Sequence, residues 1–212
     1  MKQTFIWDLD GTLLDSYPVI DAATDYACRQ YGINLKREDI HRRLIATSVS
    51  DFLHAVAEET GNSYADMRAL YDAFAAEHKY EFGLIPQARE TLAALAEQGA
   101  VHIVYTHRGD TTAPVLKHLE IDHFFLETVT ALNGFGRKPC PDALNYLVEK
   151  YQLDRSETCY VGDRTIDMDC AKNAGIQGIL YLPEGSCCHP DGSESMIVHE
   201  LAEIVAWHRR KI

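Results

Sequence analysis

Four short stretches of this chain combine residue types capable of polar chemistry. Asp8-Leu9-Asp10-Gly11-Thr12 sets two carboxylates two residues apart. Thr106-His107-Arg108 joins a hydroxyl, an imidazole and a guanidinium, and Lys138-Pro139 supplies an ammonium. Gly162-Asp163-Arg164-Thr165-Ile166-Asp167 adds two acids four residues apart. Carboxylates spaced in this way can act as nucleophiles, exchange protons or hold a hard cation through oxygen. Taken singly, each stretch has a plainer reading. Asp and Gly are common in turns, Thr caps helices, Lys is an ordinary surface charge, and Asp163 could be a helix cap followed by a mid-helix acid. The first stretch specifies four residues, a match that arises by chance in a chain of this length with probability on the order of 10⁻³. Four such stretches, in order and at the ends of strand-like runs, favour one site over four coincidences.

Such groups need elements to position them. Short apolar, β-prone runs occur at Thr4–Trp7, Val101–Tyr105, 158–161 and 178–182, with weaker ones at 124–129 and Met196–Val198. Helical periodicity lies between them at 88–98, 141–151, 165–174 and 199–208, and Gly99 and Gly175 stand where helix C-termini are expected. Strands alternating with helices of this length imply an α/β fold, a parallel sheet with helices on both faces. In such a sheet ligands gather beyond the carboxyl ends of the strands, where the four polar stretches fall. Residues 17–83 break the rhythm, with helical patterns at 19–31, 38–45, 49–59 and 64–80 and no strand. They read as a four-helix domain inserted into a discontinuous core of 1–16 and 84–212, with Gly83 and Pro86 marking the return.

Composition narrows the function classes. The 212 residues carry 32 acidic and 20 basic side chains, a formal net charge of −12. That balance argues against a protein that binds nucleic acid by neutralising phosphates. No apolar run approaches the roughly 20 residues of a membrane helix, and the Met1-Lys2-Gln3-Thr4 start lacks a leader pattern. Six cysteines without a disulfide-framework spacing suggest reduced thiols and a cytoplasmic location. Cys187-Cys188-His189 lacks the ligand spacing of a structural zinc site, so a polar loop is expected there. Cys28 is expected to pack on a helix face, and His41-Arg42-Arg43 to form a solvated one.

In its motifs and their order the chain resembles the haloacid dehalogenase superfamily. The closest likeness is to subfamily I phosphatases with a helical cap after the first motif, phosphoglycolate phosphatase-like enzymes among them. The resemblance rests on Asp8–Ser16, the helical insert, Thr106, Lys138-Pro139 and the GDxxxD pattern of Gly162–Asp167. It implies a Rossmann-like core, an inserted four-helix cap, and Mg²⁺-dependent hydrolysis of a small phosphorylated metabolite. Phosphate monoesters are doubly anionic and so inert that enzymes accelerate their hydrolysis by up to about 10²¹-fold. In the family pattern Asp8 is the nucleophile that forms an aspartyl-phosphate. Asp8, the Asp10 backbone carbonyl and Asp163 hold Mg²⁺, and Asp10 serves as acid and then base. Thr106, with nearby backbone N–H groups, binds the phosphoryl oxygens. His107 and Arg108 depart from the family pattern and are candidates to bind the substrate at its leaving group, with His107 expected to contribute chiefly its backbone N–H. Lys138 offsets the charge shared by Asp8 and phosphate, while Asp167 positions Lys138 or the shell of the metal.

The pattern also departs from relatives. His107 stands where many of them have Asn. Retention of Asp10 speaks for phosphate esters, although phosphohexose mutases keep it too. Those mutases resemble one another in an Arg after a Gly-x-Ser element, and here Ala46-Thr47-Ser48-Val49 has neither that Gly nor that Arg. A phosphatase is therefore preferred to a mutase, and the intact acids and Lys138 speak against a binding protein without turnover. Residues 46–52 are expected to take part in substrate choice, and the protein to be a monomer or small homo-oligomer.

Overall fold

Thr4–Trp7 forms β1, four consecutive buried residues at the centre of a six-stranded parallel sheet. The others are β2 (Val101–Tyr105), β3 (Phe125–Val129), β4 (Thr158–Gly162), β5 (Gln177–Tyr181) and β6 (Met196–Val198), in the order β3-β2-β1-β4-β5-β6. The structure is a computed structural model and describes residues 3–210. Met1-Lys2, part of the start in which no leader is expected, and Lys211-Ile212, within the expected core, lie outside the described residues. The chain builds outward from β1 to β3, then returns to lay β4 on the opposite side of β1. That reversal opens a crevice at the carboxyl ends of β1, β2 and β4.

A strand alternates its side chains between two faces, and the sequence of β1 fills both with apolar groups. Ile6, paired with Ile103 of β2 and Tyr160 of β4, faces a core shared with Leu144 and Leu147 of α7 (Asp142–Tyr151) and Cys170 and Ala171 of α8 (Thr165–Asn173). Each such fully buried aliphatic side chain contributes about 1.5–3 kcal/mol. Phe5 and Trp7 face the other way. Phe5 meets Trp207 and His208 of α9 (Ala202–Arg209) edge-on, at 6.4 and 5.7 Å between ring centroids. Trp7 Nε1 donates to His102 Nδ1 at 3.0 Å, and His102 Nε2 lies 3.1 Å from the carbonyl of Leu92 in α5 (Ala88–Glu97).

Contacts divide the chain into two compact units, one running to Asp15 and resuming at Gly83, the other spanning Ser16–Phe82. The second unit comprises α1 (Tyr17–Arg29), α2 (Arg37–Ala46), α3 (Val49–Thr60) and α4 (Tyr64–Glu77). Its core follows helical spacing: Ala23 and Ala27, Ile40 and Leu44, Phe52 and Val56, Met67 and Tyr71. Cys28 is packed in that core. The basic cluster is less solvated than its composition suggests. His41 lies 3.1 Å from the buried Asp21, and the Arg43 guanidinium sits 4.5 Å from the centre of the Phe52 ring; Arg42 pairs with Asp39 in solvent.

Several elements depart from their sequence-based bounds, α1 by two residues at each end. The helix α6 (Thr112–His118) lies outside the expected helical patterns. Its Pro114 falls in the first turn, where no intrahelical N–H is required. The last helix begins at Ala202 rather than 199, and α4 ends at Glu77 rather than 80. Cys187-Cys188-His189 lie in the loop between β5 and β6, with Cys188 buried, and all six cysteines are free.

Candidate active site

β1 delivers Asp8 to the crevice while its amide still donates to Val161 O of β4 at 2.9 Å. The chain then turns sharply. Gly11 takes a left-handed conformation (φ 79°), and the amides of Thr12 and Leu13 both donate to Leu9 O, at 3.1 and 2.9 Å. Glycine suits this turn because it adopts positive φ without a side-chain clash. The result leaves Asp8 buried and Asp10 partly exposed. At the end of β2 the Thr106 amide donates to Val129 O of β3 at 3.0 Å, and its hydroxyl accepts the Arg108 amide at 3.1 Å.

β4 ends at Gly162, directly before Asp163. A Cβ at Gly162 would lie 2.4 Å from Asp167 Cβ and 2.6 Å from its Oδ2, so any side chain there would displace the acid. Asp167 occupies the first turn of α8, where its Oδ2 accepts the Arg164 amide at 3.2 Å. Its Oδ1 lies 3.3 Å from the Tyr160 hydroxyl and 2.8 Å from Lys138 Nζ. Both oxygens are thus engaged. Asp163 Oδ1 accepts the Thr12 hydroxyl at 3.3 Å, tying the β4 end to the turn after β1.

Lys138 arrives from the loop preceding α7, with a cis peptide to Pro139. Its side chain is wholly buried, and Nζ lies 2.9 Å from Asp8 Oδ1 as well as 2.8 Å from Asp167. The rings of Tyr105 and Tyr160 flank it at 5.1 and 5.2 Å. An ammonium in this setting is held by two carboxylates and two aromatic faces. Burial opposes its charge, yet Asp167 and Asp8 outweigh burial and hold Lys138 above the ordinary lysine range. Asp167 is likewise driven up by burial but brought below its usual range by Lys138 and Arg164. Asp8 differs: burial outweighs the help from Lys138 and lifts it to about 6.

Ligand oxygens of Asp8, Asp163 and Asp167 lie within 4.8 Å of one another, the one such cluster of acidic, His or Cys side chains among the described residues. The donors are all oxygen, which suits a hard divalent cation. Three buried carboxyl groups gather around the one ammonium of Lys138, so a second cation fits among them. Asp8 and Asp163 suit that role better than Asp167, whose oxygens already serve Lys138, Tyr160 and the Arg164 amide.

The Arg108 guanidinium grips Asp10, with Nε donating to Oδ2 at 3.3 Å and Nη2 to Oδ1. His107 turns its imidazole onto the lysine loop, where Nε2 accepts the Lys138 backbone N–H at 3.0 Å. Burial and the cations Lys138, Arg137 and Arg164 lower His107 to about 3, so the ring stays neutral and Nε2 can accept. The structure therefore joins Asp8, Lys138 and Asp167 directly, Asp10 to Arg108, and His107 to the Lys138 backbone. Sequence reading missed Tyr105, Tyr160 and the role of Thr12. The available signals were their places immediately before Thr106, two residues before Gly162, and within the first acidic stretch.

Comparison with known proteins is consistent with this geometry. Residues 5–181 match the family described as haloacid dehalogenase-like hydrolase. A phosphoglycolate phosphatase of Vibrio cholerae is 35% identical over 187 residues, covering 82% of this chain and 83% of its own. One from Vibrio parahaemolyticus is 32% identical over 216 residues, 94% of each. Among solved structures, a predicted phosphoglycolate phosphatase from Haemophilus somnus superposes with a TM-score of 0.86 over 98% of both chains, at 22% identity, a likeness of fold.

Proposed function

The chain belongs to the haloacid dehalogenase-like hydrolases, and from that premise we propose that it is a Mg²⁺-dependent phosphatase of small phosphate monoesters, with phosphoglycolate-like esters as the substrate class. The observation that carries this reading is the buried Lys138 bridging Asp8 and Asp167 beside Asp163. Two relatives bearing the name phosphoglycolate phosphatase support the substrate class.

In this mechanism an Asp8 carboxylate oxygen attacks phosphorus and the ester P–O bond breaks, leaving an aspartyl-phosphate. Asp10 gives its proton to the departing alkoxide, then takes one from the water that attacks phosphorus and frees Asp8. When bound through Asp8, Asp163 and the Asp10 carbonyl, Mg²⁺ supplies positive charge that allows an anionic nucleophile to meet an anionic phosphate. Lys138 supplies a second, fixed charge that needs no reorganisation during the reaction. Asp167 and the two tyrosine rings keep that ammonium on the Asp8 side of the crevice. Thr106 and neighbouring amides bind phosphoryl oxygens. Residues 1–16 and 84–212 carry the chemistry, and 17–83 serve as a cap that contributes to substrate choice. We assign the enzyme to the cytoplasm.

The test is phosphate release by the purified chain with Mg²⁺ from a panel of small esters including 2-phosphoglycolate. Asp8→Asn is expected to lower kcat by about 10³-fold or more, and chelation to abolish turnover until Mg²⁺ is restored. Normal turnover by Asp8→Asn would refute the covalent route, and bisphosphate-dependent interconversion of hexose phosphates would replace hydrolysis with a mutase reaction.

A further inference from the structure

The Arg108–Asp10 pair points to the kind of leaving group this site takes. Arg108 approaches both oxygens of the Asp10 carboxylate, Nε to one and Nη2 to the other, and both side chains retain some exposure, 12% and 24%. The pairing spans a separation of 98 residues and sits at the carboxyl ends of β1 and β2. It is a separate ion pair from that of Lys138, which serves Asp8 and Asp167. Arg108 is also fixed from behind: its amide donates to the Thr106 hydroxyl, and Nη1 lies 3.4 Å from Thr111 Oγ1.

Resting on the phosphatase reading above, we propose that Arg108 is a specificity-determining residue that binds a carboxylate carried by the leaving group. To protonate the departing oxygen, Asp10 must lie within about 3 Å of it. In a two-carbon leaving group the carboxylate oxygens are roughly 3–4 Å from that same oxygen, by ordinary bond lengths. The nitrogens of Arg108 are within 3.3 Å of the Asp10 oxygens. A carboxylate on such a group can therefore be turned to within hydrogen-bonding range of the guanidinium. Without Arg108 it would face, as a like charge, the carboxylate that Asp10 becomes once it has given up its proton. Guanidinium carries five donors in a planar fork matched to carboxylate geometry, so one Arg can bridge the Asp10 carboxylate and a second one. A longer leaving group, or one with a neutral end, gains nothing from this charge.

The experiment compares 2-phosphoglycolate with 2-hydroxyethyl phosphate, an ester of similar size whose carboxylate is replaced by a neutral hydroxymethyl group. p-Nitrophenyl phosphate, whose leaving group departs without a proton, reports on the rest of the site. The wild-type chain with Mg²⁺ is expected to favour phosphoglycolate in kcat/KM by roughly 10²-fold, and Arg108→Gln to erase most of that preference, chiefly through KM. Arg108→Lys keeps the charge without the fork and is expected to retain part of it. Wild type that turns over p-nitrophenyl phosphate but shows no preference between the alkyl esters overturns this proposal alone. So do Arg108→Gln and Arg108→Lys if both esters fall equally, since Arg108 would then only hold Asp10. Wild type inactive on all three esters overturns the phosphatase reading itself.

Discussion

Replacing Lys138 by Met conserves much of the side-chain volume while removing the charge, so it isolates the electrostatics of the site. In the native structure the ammonium is 2.9 Å from Asp8 and 2.8 Å from Asp167, and all three side chains are almost entirely withdrawn from water. Breaking a buried pair by deleting one partner costs about 3–5 kcal/mol, because the remaining charge is stranded. For a protein of this size each 1 kcal/mol moves Tm by about 2–4 °C, so a fall of about 6–20 °C is expected. The loss is pH-dependent with a definite sign. Without Lys138, both carboxyls sit above their unfolded value of 3.8, so their folded forms favour protonation, and the variant loses stability as pH rises through the folded pKa values. In the wild type Asp167 lies below that value and contributes stability that is lost on acidification. The gap between the two proteins must therefore narrow toward low pH. Urea titrations in metal-free buffer at several pH values measure it. Lys138→Met/Asp167→Asn, which removes one charge of each sign, is expected to lose less than the sum of its single variants. Additivity within about 0.5 kcal/mol would refute the coupling that the distances imply.

Other expectations follow from the same contacts. Asp10→Asn should slow alkyl esters by about 10²–10⁴-fold and p-nitrophenyl phosphate far less, because only the alkoxide needs a proton; equal losses on both esters would exclude Asp10 as the acid. His107→Ala leaves the Lys138 amide without its acceptor, at a cost of about 1–3 kcal/mol, and should lower kcat; His107→Gln, whose carbonyl can accept the same N–H, should recover most of both in urea and steady-state assays. His102, lowered to about 4 by burial despite its hydrogen bond to Leu92, should lend acid sensitivity to the sheet. Its stabilisation is complete above the unfolded value of 6.5 and lost as pH falls through about 4. At about 1.4 kcal/mol per tenfold change in proton affinity this amounts to roughly 3 kcal/mol, and His102→Gln should flatten that slope in urea titrations.

Much of the fold is legible along the chain. The span Thr4–Trp7 is a continuous apolar run because a central parallel strand is buried on both faces, and Val101–Tyr105 repeats the signature. The helices of 17–83 announce themselves through spacings such as Phe52 with Val56 and Met67 with Tyr71, which are local consequences of 3.6 residues per turn. Helix ends are less legible. No helix is read over 112–118, where Pro114 sits in the first turn of α6, and α4 stops at Glu77, short of the expected 80. The acids Asp8, Asp10, Asp163 and Asp167 declare a site because they follow strands, and a parallel sheet gathers strand ends in one crevice.

What neighbouring residues could not encode was the partner of each charge. His107 and the Lys138 amide are 31 residues apart, and Arg108 and Asp10 are 98 apart; nothing in either local stretch names the other. Gly162 reads as an ordinary turn residue until Asp167 is found to fill the space of its missing Cβ. Tyr105 and Tyr160 look like core aromatics, and they are, yet their rings also flank the Lys138 ammonium. Residue types and periodicity arise from short-range sterics and burial, so they fix the chemistry on offer and the elements that carry it. Pairing depends on strand order and on which loop descends into the crevice, both settled by long-range packing. That packing assigned Lys138 to Asp8 and Asp167, Arg108 to Asp10, and His107 to the backbone that holds the lysine.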